Sequence, residues 1–376
     1  GLCDASEYDE KYKKWRYEDL PIVPSAWESV VSDGTKKQFA VLKDLLNRTD
    51  VDEVVCATDA GREGELIFRM VYEKTGCTKP VKRFWISSLE ESAIRDGFRS
   101  LKPGTAYDAL YRAALCRAQA DWLVGINGTR LYSRLYGTKL NVGRVMTPTL
   151  AMVVQREKEI AAFQVERFYT VQLSCGFLAQ SGRMQTREEA ERIRASCHCK
   201  KAAVKQIERR QKKEKPPKLY DLTALQRDAN RIYGYTAQQT LDYAQTLYEK
   251  KLATYPRTDS RFLTHDLRDR LPALIECVAQ VLPFASGLPL AVHTQQVIRD
   301  EKVSDHHAII PTQNMTREAL VQLPMGERSI LTLLAVRLLA ATGEPCETDE
   351  VTVMLDCEGH DFTAKGSTVR QMGYRV

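Results

Sequence analysis

The sequence predicts a mixed chain: an α/β segment first, a helical segment next, and then a β segment interrupted by a long helical stretch. Three observations carry this. Residues 53–100 alternate strand-like and helix-like runs, residues 221–341 are mainly helical in pattern, and strand-like runs lie on both sides of that stretch, at 168–175 and 350–365. At 376 residues, with 43% hydrophobic and 28% charged content, the chain has a globular composition and length for two or three domains, each able to bury a core.

The first strand is the apolar run Glu53-Val54-Val55-Cys56-Ala57-Thr58, and the turn after it opens an amphipathic helix from Glu65 to about Gly76. Val81 to Ile86 reads as a second strand, and Ser88-x-x-Glu91 as the capping box of the next helix. Past Pro103-Gly104 the pattern is helical through Tyr136, with Arg112, Arg117 and Arg130 along it, and a further helix runs from about Thr147 to Glu159. Phe168 to Cys175 alternates like a half-buried strand, and Thr186-x-x-Glu189 caps a short helix. The basic stretch from Glu208 to Lys218, which contains Pro216-Pro217, is expected to be an exposed linker and a solvated hinge. Gly234 then ends one helix and Thr236-x-x-Gln239 caps another, a helix-turn-helix-like pairing. Glu350 to Asp356 and Asp361 to Lys365 are strand-like and are expected to pair with the strands before the linker. The helical unit then reads as an insertion with two hinges.

Two segments carry chemistry. Asp59-Ala60-Gly61-Arg62-Glu63-Gly64-Glu65 emerges at the carboxyl end of a strand, where α/β sheets place their ligands. Asp59 and Glu63, four residues apart, suit one Mg²⁺, a hard cation held through one or two carboxylates while it keeps several waters. Taken alone, the spacing equally describes a solvated turn at a helix start. Thr254-Tyr255-Pro256-Arg257-Thr258-Asp259-Ser260 follows a helix ending near Lys250-Lys251, and Pro256 keeps Tyr255 extended. A phenol with a pKa of about 10 attacks phosphorus only with positive charge nearby, which Arg257 supplies in a form that grips phosphate bidentately. An ordinary structural tyrosine remains the alternative for any one of sixteen.

The other features narrow the class. The longest apolar run, Ile330 to Ala341, is broken by Arg337 and too short for a bilayer, and no secretory signal begins the chain, so a cytosolic protein is expected. A net charge of +6 is shared by many enzymes and says little. Ten cysteines are mostly scattered. The one close pair, Cys197-His198-Cys199, has no partner pair at zinc spacing, so free thiols are expected. His306-His307 admits a structural role or a metal, yet no third ligand is evident nearby.

The two chemical segments, with three others in order, make the chain similar to the type IA DNA topoisomerases, and within them to the bacterial topoisomerase III branch. The acidic turn resembles the metal loop of the Toprim fold. Asn141-Val142-Gly143-Arg144-Val145-Met146-Thr147-Pro148-Thr149-Leu150 resembles a GRVQTPTL segment, with Met146 in place of Gln. The helices from Leu225-Gln226 to Gln245-Thr246-Leu247-Tyr248-Glu249 resemble those before the catalytic site, residues 254–260 match the active-site motif, and 304–312 resemble a DHHAIIPT segment. The resemblance implies a partial Toprim α/β domain over 1–103 and a partial helical, winged-helix-like DNA-binding domain over 104–163. It also implies a β arch or gate domain over 164–217 and 342–376, and a helical domain over 218–341 bearing the catalytic tyrosine.

What the resemblance implies for function is a Mg²⁺-dependent, ATP-independent isomerase that cuts one DNA strand through a 5′-phosphotyrosyl link, passes a strand and reseals. It would relax negative supercoils or decatenate DNA. Tyr255 would be the nucleophile, with Arg257, His306 and Glu63 catalytic, Asp59 and Glu63 holding Mg²⁺, and Arg144, Arg62, Gln245, Glu249 and Asp259 contacting DNA. The partners implied are single-stranded and negatively supercoiled DNA, with no membrane and no nucleotide cofactor, for a monomer of the bacterial cytoplasm and nucleoid. Gly61 stands where many relatives carry a second Asp, which leaves fewer carboxylates near the metal. The family's N-terminal Glu-Lys-Pro-Ser-type motif has no counterpart, and the last residues resemble mid-arch strands, so an internal fragment is expected. The alternative reading is a truncated, catalytically impaired protein that binds single-stranded DNA.

Overall fold

The computed structural model describes residues 1–86, 89, 91–285, 292–303 and 305–375, and divides the chain into two compact units, Gly1–Phe163 and Gln164–Val376. The first unit contains α1 (Ala5–Tyr8), α2 (Lys36–Leu46), β1 (Val54–Cys56), α3 (Arg62–Thr75), β2 (Val81–Arg83), α4 (Glu91–Arg99), β3 (Lys102–Pro103), α5 (Asp108–Tyr136) and α6 (Met146–Ala161). β1 and β2 are parallel, Val54 opposite Val81, and β3 adds antiparallel to β2. A parallel pair needs a crossover, and α3 is the helix within that connection. The capping serine expected before α4, Ser88, lies outside the described residues.

The second unit holds β4 (Gln172–Ser174), β5 (Leu178–Ser181), α7 (Arg187–Cys197), β6 (Ala203–Glu214), α8 (Leu222–Tyr233), α9 (Ala237–Glu249), α10 (Leu271–Val281), α11 (Arg317–Gln322), α12 (Met325–Ala341), β7 (Cys346–Cys357) and β8 (His360–Gln371). Its five-stranded sheet runs β4-β5-β8-β7-β6, so chain on both sides of the helices builds one sheet. The caps fall where the sequence places them: Thr186 accepts from the Glu189 N–H, Thr236 and Gln239 form a reciprocal box, and Gly234 ends α8 at φ +73°. At the level of two sheets and mixed α/β content, the predicted fold class is present.

Two separate cores stabilise this unit. One is helical and centred on Leu225, Leu247, Leu271, Ile275, Ile330, Leu334 and Leu338, each at most 1% exposed. Each such aliphatic side chain contributes roughly 1.5–3 kcal/mol when buried. The smaller core packs Val171, Ala179, Cys197, Leu355 and Phe362 beside the sheet.

The expected linker at 208–218 is instead largely strand: β6 continues to Glu214 and pairs antiparallel with β7 along its length. The charges that suggest a linker are satisfied across strands, Lys212 with Glu350 at 3.1 Å and Lys213 with Glu347 at 2.6 Å. Only Lys215 to Lys218 lies outside the strand.

Candidate active site and acidic turn

Tyr255 is reached through an unusual helix end. α9 closes in a Schellman turn, where the Leu252 N–H donates to the Leu247 carbonyl and the Lys251 N–H to the Tyr248 carbonyl, both at 2.9 Å. The left-handed residue in that turn is Lys251, at φ +62°, a conformation that costs an L-residue about 1–2 kcal/mol. Two side chains hold it, because the Lys251 carbonyl accepts from Thr312 Oγ1 at 2.6 Å and from Asn314 Nδ2 at 3.1 Å.

The chain then lies along the 306–312 segment. Ala253 bridges Pro311, the Thr254 N–H donates to the Ile310 carbonyl at 3.0 Å, and the Ile310 N–H donates back to Thr254 Oγ1 at 3.0 Å. Thr258 Oγ1 donates to the His306 carbonyl at 2.8 Å and accepts from the Ser260 N–H. The threonines on either side of Tyr255 thus fix its register against His306. The outcome is a stacked pair, ring centroids 4.3 Å apart and planes tilted 38°, with Tyr255 9% and His306 6% exposed. Tyr248 meets the Tyr255 ring edge-on at 5.3 Å.

The remaining predicted residues of this unit occupy distinct places. Arg257 and Asp259 are exposed on the same loop. Gln245 donates through Nε2 to Glu249 Oε1 at 3.0 Å, one turn apart on α9. His307 is buried, donates through Nδ1 to the Ala308 carbonyl at 2.8 Å, and has its pKa pushed down by burial.

In the first unit the acidic turn joins β1 to α3, with Gly61 as the residue before the helix. Gly64 is sterically required, because a Cβ there would lie 2.1 Å from the Asp59 carbonyl oxygen. Arg83 on β2, fully buried, donates to the carbonyls of Cys56 at 3.0 Å, Thr58 at 2.8 Å and Asp59 at 2.6 Å. Its Nε lies 3.0 Å from Glu65 Oε2, an ion pair at an angle that makes no hydrogen bond, and Glu65 also pairs with Arg69 at 2.9 Å. Glu65 is therefore a buried anchor, while Asp59, Arg62 and Glu63 face solvent. Arg144 is half exposed and its Nε donates to Asp121 Oδ1 at 2.6 Å, which holds the Asp121 carboxyl below its usual range.

Among the described residues, no group of three or more His, Cys, Asp or Glu side chains gathers as a metal site. Asp59 and Glu63 are hard oxygen donors on a water-facing turn, a donor set that fits Mg²⁺ bound through one or two carboxylates with water completing the shell. No helix among the described residues is long and apolar enough to cross a membrane.

Sequence reasoning overlooked Glu65, Arg83, Lys251 and the two threonines. A signal for Arg83 was present: strand alternation puts it on the same face as Val81, and an inward arginine requires an acidic partner.

Residues 105–376 match a family described as DNA topoisomerase. DNA topoisomerase 3 of Bacillus licheniformis is 42% identical in an alignment that covers 100% of this chain and 53% of that protein, and DNA topoisomerase 3 of Bacillus subtilis is 41% identical with the same coverage. Full-length topoisomerase I from Thermotoga maritima shares the fold, with a TM-score of 0.73 over 92% of this chain and 58% of that one, at 24% identity. The chain belongs to the DNA topoisomerase family. It spans about half the length of the curated relatives it matches.

Proposed function

We propose that this chain carries the strand-cutting centre of a type IA DNA topoisomerase of the topoisomerase III kind, acting on single-stranded and negatively supercoiled DNA. The observation that supports the reading best is the Tyr255–His306 stack, held by Thr254 and Thr258 within a motif that also presents Arg257. Tyr255 Oη attacks the phosphorus of a phosphodiester, a 5′-phosphotyrosyl bond forms, and the P–O3′ bond breaks to leave a 3′-hydroxyl. Religation reverses these events, and because the phosphotyrosyl link conserves the bond energy, no nucleotide is consumed. Arg257 stabilises the charge that develops on the equatorial oxygens, and His306 acts at the same phosphate.

Asp59 and Glu63 would hold Mg²⁺, which when bound would supply positive charge for positioning DNA and for religation. Arg62, Arg144, Gln245, Glu249 and Asp259 contact the strand, in a monomer of the cytoplasm. Rapid denaturation of the chain on single-stranded DNA tests the reading. A covalent adduct is expected through Tyr255, and Tyr255→Phe removes it while leaving DNA affinity nearly unchanged. An adduct that persists in Tyr255→Phe refutes the assignment of the nucleophile. Binding without any adduct favours the alternative of an impaired, DNA-binding protein.

A further inference from the structure

Just past the Tyr255 motif, two lysines from distant parts of the chain converge on one aromatic ring. Lys218 Nζ lies 5.4 Å and Lys302 Nζ 5.3 Å from the centroid of Phe262, a half-buried residue. The neighbouring cation, Arg261, is compensated, with Nε 3.6 Å from Asp221 Oδ2. The lysines are not: both are exposed, and neither takes part in an ion pair among the described residues. A single exposed ammonium over a phenyl ring is a weak attraction, and a second like charge at the same ring opposes it. The site therefore presents two ammonium groups outside any ion pair among the described residues beside an aromatic face, with Asp300 and Glu301 preceding Lys302 in the chain.

The cluster is wired to the candidate active site through the backbone. Ser260 Oγ donates to the Lys302 carbonyl at 2.9 Å, and the Ala308 N–H donates to the Phe262 carbonyl at 2.9 Å. Arg261 Nε donates to the Leu219 carbonyl at 3.4 Å, next to Lys218. Ser260 closes the motif and Ala308 belongs to the segment of His306, so the backbone that bears Lys302 and Phe262 is tied to the segments that carry Tyr255 and His306.

We propose that Lys218, Lys302 and Phe262 form a binding site for the phosphodiester backbone of a nucleic-acid strand, alongside the strand that Tyr255 attacks. The proposal rests on the reading of the chain as a DNA-cutting protein. The two lysines neutralise phosphates, and the ring offers a face for a base or sugar, the pairing of positive charge with an aromatic platform that sequence-independent single-strand binding uses.

The test is fluorescence anisotropy with an oligothymidylate across a salt series, comparing the parent chain with Lys218→Gln/Lys302→Gln, Lys218→Arg/Lys302→Arg and Phe262→Leu. For the glutamine pair, the slope of log affinity against log salt is expected to become shallower by about 1.4, roughly 0.7 for each phosphate that is no longer neutralised. Adduct formation at saturating DNA is retained. The arginine pair keeps the parental slope, and Phe262→Leu keeps the slope while lowering affinity a few-fold. A folded glutamine pair with the parental slope overturns the proposal, as does an arginine pair whose slope falls as much as that of the glutamine pair. A flat salt response in the parent sinks the underlying functional reading as well, whereas a steep parental slope with unaltered variants sinks this inference alone.

Discussion

Tyr255 and His306 stack at 4.3 Å between ring centroids, and neither ring is more than 9% exposed. The pair exists because a helix end, a strained lysine and two threonines set one segment against another, so its geometry is a property of the backbone around it.

Removing the imidazole tests the pair. His306→Ala should destabilise the chain by about 1–3 kcal/mol, because the ring stacking disappears and a cavity is left behind. Trapped adduct should form more slowly while single-strand affinity changes little. Urea midpoints and quenched time courses check both, and an unaltered adduct rate would remove His306 from the reaction.

Lys251 stands where helices usually place glycine, at φ +62°. Lys251→Gly should stabilise the chain by about 1 kcal/mol, because the left-handed conformation then carries no Cβ penalty. Lys251→Val should destabilise it, as a branched side chain is worse there than lysine. The order of denaturation midpoints, Gly above Lys above Val, is the measurement.

The acidic turn depends on one missing Cβ and one buried cation. Gly64→Ala must displace Asp59, whose carbonyl would lie 2.1 Å from the new carbon. Arg83→Met leaves Glu65 buried with only Arg69 as an ion partner and should cost about 3–5 kcal/mol. Thermal midpoints measure the stability loss, and titration calorimetry with Mg²⁺ should show weaker binding in Gly64→Ala.

Local pattern made much of this legible. The capping box at Thr236 and Gln239, the cap at Thr186 and the stop at Gly234 depend on residues a few positions apart, and all three are present. The strand at 203–214 was obscured because its alternation is hidden by charges on both faces. Its stability comes from partners such as Glu347 and Glu350, distant in sequence. The site shows the same division. Tyr255 and Arg257 stand out as residue types in a motif, whereas Glu65, Arg83, Thr254 and Thr258 act through bonds to backbone or ions that no local spacing encodes.

Acid should weaken the second unit through His307. Burial holds its pKa below the ordinary 6.5, so as pH falls the unfolded chain takes up a proton that the folded chain refuses. More protons on the unfolded state mean that stability falls with pH, by at most about 1.4 kcal/mol per unit from this group. The loss begins near the ordinary value and ends below the folded pKa. His307→Gln, followed by urea midpoints from about pH 8 to 5, should remove this share of the slope, and an unchanged slope would contradict it.

The Thr258 hydroxyl donates to the His306 carbonyl at 2.8 Å and accepts from the Ser260 N–H at 3.1 Å, in a buried position. Thr258→Val keeps the shape and removes both bonds, leaving buried polar groups unpaired at a cost of about 1–3 kcal/mol. The imidazole is then less firmly held against Tyr255. Adduct formation should slow, and the ring-current shift of the His306 proton signals should diminish in spectra of histidine-labelled protein. Thr258→Ser restores the hydroxyl and should recover the spectrum and most of the rate, although it lacks the methyl group. If Thr258→Val keeps the parental histidine shifts and rate while losing stability, the threonine supports the fold alone, and the positioning of His306 must come from Thr254 and the bridge at Ala253.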